Sequence, residues 1–133
     1  MEPKTMEYQA PWGTETVQLE INSYMNNNGL YIGMLSKDED VFEPYGDMTV
    51  NLTEKAPDYC AYLDTNNLSG IEKFVVDNDL GEFTGFTQRS GFCEFPFYMF
   101  NVDKLRELCP DGMRAYEDSI GAKKAPEVKE KAR

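Results

Sequence analysis

Hydrophobic and polar residues alternate along two segments in the first third of the chain. Every second residue from Val17 to Ile21 is apolar, which predicts a half-buried strand over residues 14–21. A second apolar segment runs from Leu30 to Leu35. Because Asn28-Gly29 lies between the two and tolerates the positive φ of a tight turn, we expect them to pair as a hairpin.

Two further strands are predicted in the middle of the chain. Met48 to Leu52 alternates again, and Tyr59 to Leu63 is a short apolar run that follows a proline-containing break. Residues 37–44 are rich in charge, and we interpret them as a loop between the second and third strands.

Helical spacing begins after residue 69. The apolar residues between Ile71 and Val75 follow the i, i+3, i+4 pattern of one helix face. Ser69 followed by Glu72 fits a capping box, in which each side chain bonds the backbone of the other. We expect this helix to end between residues 78 and 81, where Asn and Gly allow a left-handed C-cap.

A second hairpin is predicted over residues 82–88 and 92–100, with its turn at Ser90-Gly91. Both faces of the second strand are apolar, so we expect a central strand that is covered on both sides. Pro96 cannot donate to a ladder and predicts a bulge or an exposed edge. The aromatic residues of this hairpin are interpreted as core.

The order of elements predicts an α+β fold: an antiparallel sheet of about five to six strands with two or three helices packed on one face. Helices are expected over residues 102–109 and 113–120. We expect one domain over residues 1–121, with residues 1–11 as a loose N-terminal arm. Residues 122–133 are charged and lack an apolar stripe, and they predict a disordered tail.

The chain of 133 residues contains no histidine and three cysteines. Without histidine, Ser–His and Cys–His nucleophile pairs and the usual zinc sites are excluded. We therefore predict no catalytic residues, no metal site and no cofactor. An odd number of cysteines, an N-terminus without an apolar stretch and the absence of a long apolar run predict a cytoplasmic protein with no membrane span.

The net charge of −11 is unevenly distributed, because residues 122–133 carry +3 and residues 1–121 carry −14. A surface this acidic repels phosphates, so we expect a basic protein surface as partner and no direct binding of nucleic acid. Two sets of acidic residues are predicted to bind the partner. The first acidic group is Asp38, Glu39, Asp40, Glu43 and Asp47, and the second acidic group is Asp77, Asp79 and Glu82.

Residues 43–52, 56–66 and 95–108 resemble a family of small uncharacterised bacterial proteins carried by plasmids and conjugative elements of Gram-positive gut bacteria. The likeness covers about residues 6–120 and brings no catalytic motif and no assigned activity. The resemblance implies a gene carried on mobile elements, whose small acidic proteins often antagonise host defence nucleases. Anti-CRISPR and anti-restriction proteins of this kind imitate nucleic acid, and the present chain is similar to them in size and charge, by analogy only.

Three hypotheses follow. The first is an inhibitor of a host nucleic-acid-targeting defence enzyme, with an RNA-guided nuclease of the Cas9 type as first candidate, that occludes a basic groove. The second is an accessory protein of a mobile element that associates with itself, as a homodimer, or with another partner through an apolar or strand-edge surface. The third is an enzyme that uses carboxylates, for which Glu94 is the candidate if burial raises its pKa.

Overall fold

A computed structural model describes residues 4–25, 27–52 and 56–121 of the chain. The predicted tail, residues 122–133, lies outside the described residues. The elements, in chain order, are β1 (Met6–Ala10), β2 (Gly13–Ser23), β3 (Leu30–Asp38), β4 (Val41–Asp47), β5 (Thr49–Val50), β6 (Cys60–Leu63), α1 (Ile71–Asp77), β7 (Gly81–Ser90), β8 (Cys93–Phe100), α2 (Val102–Leu108) and α3 (Pro110–Ile120).

The strands form two antiparallel sheets of four, which we call the first sheet (β1-β2-β3-β4) and the second sheet (β5-β6-β8-β7). The α+β class is confirmed, whereas a single sheet of five to six strands is wrong. The chain changes sheet at Met48. Its N–H donates to the carbonyl of Ile32 in the first sheet, and its carbonyl accepts from Asp64, directly after β6. Only Thr49 and Val50 remain to begin the second sheet.

Residues 37–44 form no loop. Strand β3 continues to Asp38 and β4 begins at Val41, so only Glu39-Asp40 makes the turn, with Glu39 at φ 60°. The acidic side chains hid this strand from pattern analysis. An edge strand with most residues exposed has no apolar alternation to reveal it, and charge on an edge discourages aggregation.

The loose arm predicted for residues 1–11 is wrong for residues 6–10, which form β1 along β2. Tyr8 is buried, and its hydroxyl donates to the carbonyl of Ser69 just before α1. Its ring also meets Phe74 of α1 edge-on, with centroids 5.6 Å apart. This strand is therefore part of the domain and helps to hold α1.

Helix α1 is present with Ile71, Phe74 and Val75 buried, as its spacing predicts. It ends at Asp77 with Asn78 as its C-cap, and the left-handed residue that follows is Asp79, at φ 59°. The capping box is wrong. The N-cap is Gly70 in the left-handed conformation with no side-chain cap, and Glu72 accepts a hydrogen bond from the Tyr98 hydroxyl at 2.7 Å instead. A tertiary contact has replaced the local one.

The β7–β8 hairpin is confirmed, but its turn is Gly91-Phe92, one residue later than predicted, because Ser90 still pairs with Cys93. The pairing shifts between Phe83 and Thr87, so three residues of β7 stand opposite Phe97. The bulge expected beside Pro96 is confirmed. Coverage on both sides is wrong for β8, because Met99 is 46% exposed. The face that carries Phe95, Phe97 and Met99 is therefore only partly covered.

The core lies between the two sheets and the helices. Strand β1 pairs only with residues 13–17 of β2, and α3 covers the edge that remains. There the Cys109 thiol donates to the Leu19 carbonyl at 3.1 Å. Gly112 permits this approach, since a Cβ at that position would lie 2.5 Å from the Ile21 carbonyl oxygen.

Candidate protein-binding surface at one end of the first sheet

The structure exposes all eight predicted partner-binding carboxylates and separates them into two places. Asp38, Glu39, Asp40 and Glu43 lie together at the β3–β4 turn. Asp47 lies at the other end of β4, roughly 13 Å from Glu43 at the rise of a strand. There it accepts a hydrogen bond from Tyr31, and burial together with this bond raises the pKa of Tyr31.

The strand order brings a second turn to the same end of the sheet. Strand β2 begins at Gly13 beside the end of β3, so the Pro11-Trp12 turn and the Glu39-Asp40 turn lie at one end. The pairing also fixes the face. Paired residues share one face of a sheet, and so do residues two apart in a strand. The pairs Tyr8↔Glu15, Val17↔Ser36, Ser36↔Glu43 and Asp38↔Val41 therefore place five residues on the face where Val17 is buried: Tyr8, Glu15, Asp38, Val41 and Glu43.

Trp12 supplies a large apolar surface at this end. Its side chain is 71% exposed, and its Nε1 donates to Glu15 Oε2 at 2.7 Å. Its ring centroid lies 6.2 Å from that of Tyr45, which in turn lies 5.8 Å from Tyr8. Contacts between β4 and the β1 side of the sheet show that the first sheet curls strongly. We call the surface formed by Trp12, Glu15, Asp38, Glu39, Asp40, Val41 and Glu43 the hairpin end.

The carboxylates of the hairpin end are not neutralised within the described part of the chain. No lysine or arginine there forms an ion pair with Asp38, Glu39, Asp40 or Glu43. The nearest cation in sequence, Lys37, pairs across the ladder with Phe42 and so belongs to the opposite face. The hairpin end therefore presents net negative charge around an exposed indole.

The second acidic group lies elsewhere, at the end of α1 and the start of β7. Asp77 is paired with Lys73 at 2.6 Å, and Asp79 accepts a hydrogen bond from Asn101 at 3.3 Å. Glu82 stands opposite Met99 beside an open cavity of about 250 Å³. No hydrogen bond or ion pair of the described residues joins this group to the hairpin end.

A second exposed surface was not anticipated. Phe83, Phe86, Phe92 and Met99 are 47%, 69%, 104% and 46% exposed, so these residues of the β7–β8 hairpin are not core. Beside β8, β6 pairs only with residues 97–99, which leaves the turn half of the hairpin without a third strand in the described structure. Phe83 and Met99 lie on opposite faces of the second sheet, because Phe83 pairs with Tyr98 and Met99 pairs with Glu82. We call Phe86 and Phe92, the exposed apolar residues towards the turn, the aromatic hairpin surface.

Sequence reasoning also missed Trp12, Glu15 and Val41. The available signal was Pro11-Trp12-Gly13, since an aromatic residue between proline and glycine in a turn is poorly placed for a core. Trp12 and Gly13 lie between the predicted arm, residues 1–11, and the predicted strand, residues 14–21, and were assigned to neither.

Two cysteine thiols and Glu94 lack an activating environment in the part of the chain that the structure describes. Burial raises the pKa of Cys109 to about 11, and burial with the nearby Asp58 charge raises the pKa of Cys60, so both thiols are held protonated. Glu94 is exposed and accepts a hydrogen bond from Thr87, so the burial that would favour it is not found. In the described ranges, no three Cys, Asp or Glu residues come together as a metal site, and no helix is both long and apolar enough to cross a membrane.

Fold and surface together define a small α+β protein with two antiparallel sheets and an acidic, indole-bearing end. The chain belongs to the family described as Domain of unknown function (DUF4313), which it matches over residues 18–120. The expectation of an uncharacterised family is confirmed, and an origin on mobile elements stays a prediction. The match begins after Trp12 and Glu15. No curated protein and no solved structure matches the chain.

Proposed function

We propose that this protein acts by binding rather than by catalysis, and that it blocks the basic nucleic-acid groove of a host defence nuclease. An RNA-guided nuclease is the first candidate. The observation that carries the proposal is the hairpin end, where four exposed carboxylates have no cationic partner in the described structure. In the complex these carboxylates would take the place of phosphates and meet lysine or arginine.

Rigid presentation supports the same proposal. Two strands joined by a two-residue turn fix the backbone of the four acidic residues, so little conformational entropy is lost when they meet a partner. Electrostatic complementarity of this kind chiefly accelerates association and selects the partner. The apolar contribution would come from Trp12 and Val41, because interfaces typically place a buried aromatic residue within a polar rim.

The test replaces Asp38, Glu39, Asp40 and Glu43 by lysine. Each protein is used to capture partners from a nuclease-treated host lysate, and the captured proteins are identified. We expect the four-lysine variant to fold and to capture no nuclease subunits. A matched variant carries lysine at four exposed acidic residues outside both acidic groups, which shifts the net charge by the same amount: Glu94 of β8, Asp103 and Glu107 of α2, and Asp111 of α3. Equal loss in both variants would mean that overall charge acts without a specific site, and capture that survives the first reversal would overturn the proposal.

A second candidate function is self-association through the aromatic hairpin surface. Two phenylalanines towards the turn of one hairpin favour it, because they are 69% and 104% exposed and exposed apolar surface marks interaction sites. Light scattering over a range of protein concentrations tests it. A dimer that the double change Phe86→Ser and Phe92→Ser dissociates supports this candidate, and a monomer at all concentrations rejects it.

A further inference from the structure

We infer that the hairpin end selects arginine over lysine in its partner, through Trp12 and Glu15. The inference rests on the proposed function, since it names the chemistry of the basic surface that meets this site. It starts from an exposed tryptophan held at a negatively charged surface.

The Trp12 ring is oriented before any partner arrives. Its Nε1 hydrogen bond to Glu15 Oε2 and its contact with Tyr45 fix the indole, although 71% of the residue remains exposed. An exposed face of an indole attracts cations, and its attraction is stronger than that of Tyr or Phe.

The surrounding acceptors suit a planar donor. Glu15 Oε2 is used by the indole, whereas Glu15 Oε1 has no hydrogen bond in the described structure. Asp38 and Glu43 lie on the same face of the sheet. A guanidinium can stack on the ring and direct its N–H groups to several carboxylates at once, whereas an ammonium is a compact, strongly hydrated charge without a planar face.

Charge decides between the occupants that could stack on an indole. A nucleobase would bring its phosphate against unpaired carboxylates, and a second copy of the chain would bring another acidic surface. An arginine-containing basic segment satisfies both the ring and the acids.

The experiment compares two peptides of equal length and charge, one with arginine alternating with glycine and one with lysine alternating with glycine. Trp12 is the only tryptophan of the chain, so its fluorescence reports directly on this site. We expect the arginine peptide to change the emission and to bind about two- to fivefold more tightly, the fold-change that corresponds to an exposed cation–π contact. Calorimetry provides the affinities where tryptophan is replaced.

Trp12→Leu is expected to lose most of the preference for arginine, because its side chain keeps apolar bulk but lacks the ring, while the carboxylates that favour a planar donor remain. Trp12→Phe is expected to keep a larger part of the preference. Circular dichroism establishes that each variant folds. Equal affinity of the native protein for the two peptides, or a preference that is undiminished in Trp12→Leu, overturns the inference while charge-based binding stands. Binding of neither peptide also overturns the inference, whereas capture that survives the four-lysine reversal overturns the proposed function.

Discussion

At the scale of single residues, the most constrained charge is Glu117 of α3, which is nearly buried. It accepts hydrogen bonds from Arg106 and from the Tyr59 hydroxyl, the latter at 2.6 Å. Tyr59 occupies a positive φ of 67°, unusual for a bulky residue, and its N–H donates to the Tyr116 hydroxyl. This network ties α2 and α3 to the start of β6.

Burial alone would raise the pKa of Glu117, but the hydrogen bonds from Arg106 and Tyr59 and the Arg106 charge outweigh it and lower that pKa below 4.5. A lowered pKa in the folded state stabilises the fold above the unfolded pKa, and the contribution is lost as pH falls through the folded pKa. We therefore predict that Glu117→Gln lowers the free energy of unfolding at pH 7 by about 1–3 kcal/mol, as Arg106 is half exposed.

Urea denaturation at pH 7 and at pH 3 measures this effect. The native protein and Glu117→Gln should converge at the lower pH, and Tyr59→Phe, which removes one hydrogen bond, should show a smaller loss. Curves that keep the same separation at both pH values would contradict the assignment.

At the scale of elements, β1 is expected to be required for stability. Tyr8 fills the space between Tyr45 and Phe74 and is only 1% exposed. We predict that Tyr8→Ala costs about 3–5 kcal/mol, the range for removing a buried aromatic side chain, while Tyr8→Phe costs about 1 kcal/mol for the hydroxyl. Thermal and urea unfolding measure both losses, and Gln9→Ala, a change at an exposed residue of the same strand, is the control. A Tyr8→Ala protein of native stability would instead support the prediction of a loose arm over residues 1–11.

The contact between α3 and β2 supplies a second prediction at this scale. A Cβ at Gly112 would meet the carbonyl carbon and oxygen of Ile21, which are backbone atoms that cannot rotate away. Gly112→Ala should therefore push α3 off β2 and cost about 1–3 kcal/mol, despite the better helix propensity of alanine. Arg114→Ala on the exposed side of α3 is the matched control, and an unchanged midpoint for Gly112→Ala would show that the helix can shift freely.

Pattern analysis succeeded where burial on one face was strong and failed where it was weak. Val17, Leu19 and Ile21 alternate without interruption and α1 keeps its apolar face, so both elements were predictable. Strand β4 exposes most of its residues, so the physical signal that defines a half-buried strand was absent. Division into two sheets depends on one bend at Met48, which no local pattern encodes.

The candidate site was also predictable only in part. Residue type alone was enough to select Asp38, Glu39, Asp40 and Glu43, which are close in the chain and lie at one turn. Their proximity to Trp12 follows from the pairing of β2 with β3, and the distance of Asp47 follows from the length of β4. These distances depend on the order and length of the strands, which no local pattern in the sequence predicts.

At the scale of the whole molecule, charge acts oppositely on the two candidate functions. Residues 1–121 carry −14, so two copies repel one another, whereas a basic partner is attracted. Salt screens both effects, since the Debye length falls from about 30 Å at 0.01 M to about 10 Å at 0.1 M. Ionic strength therefore separates binding at the hairpin end from association through the aromatic hairpin surface.

We predict that the association rate with a basic partner falls at least about tenfold between 0.01 M and 0.15 M salt, as for steered complexes. Self-association should instead strengthen or stay unchanged, because apolar burial remains while repulsion is screened. Stopped-flow kinetics measures the first and sedimentation equilibrium the second. An association rate that is indifferent to salt would remove the electrostatic mechanism, because carboxylates facing cations across an exposed interface cannot escape screening.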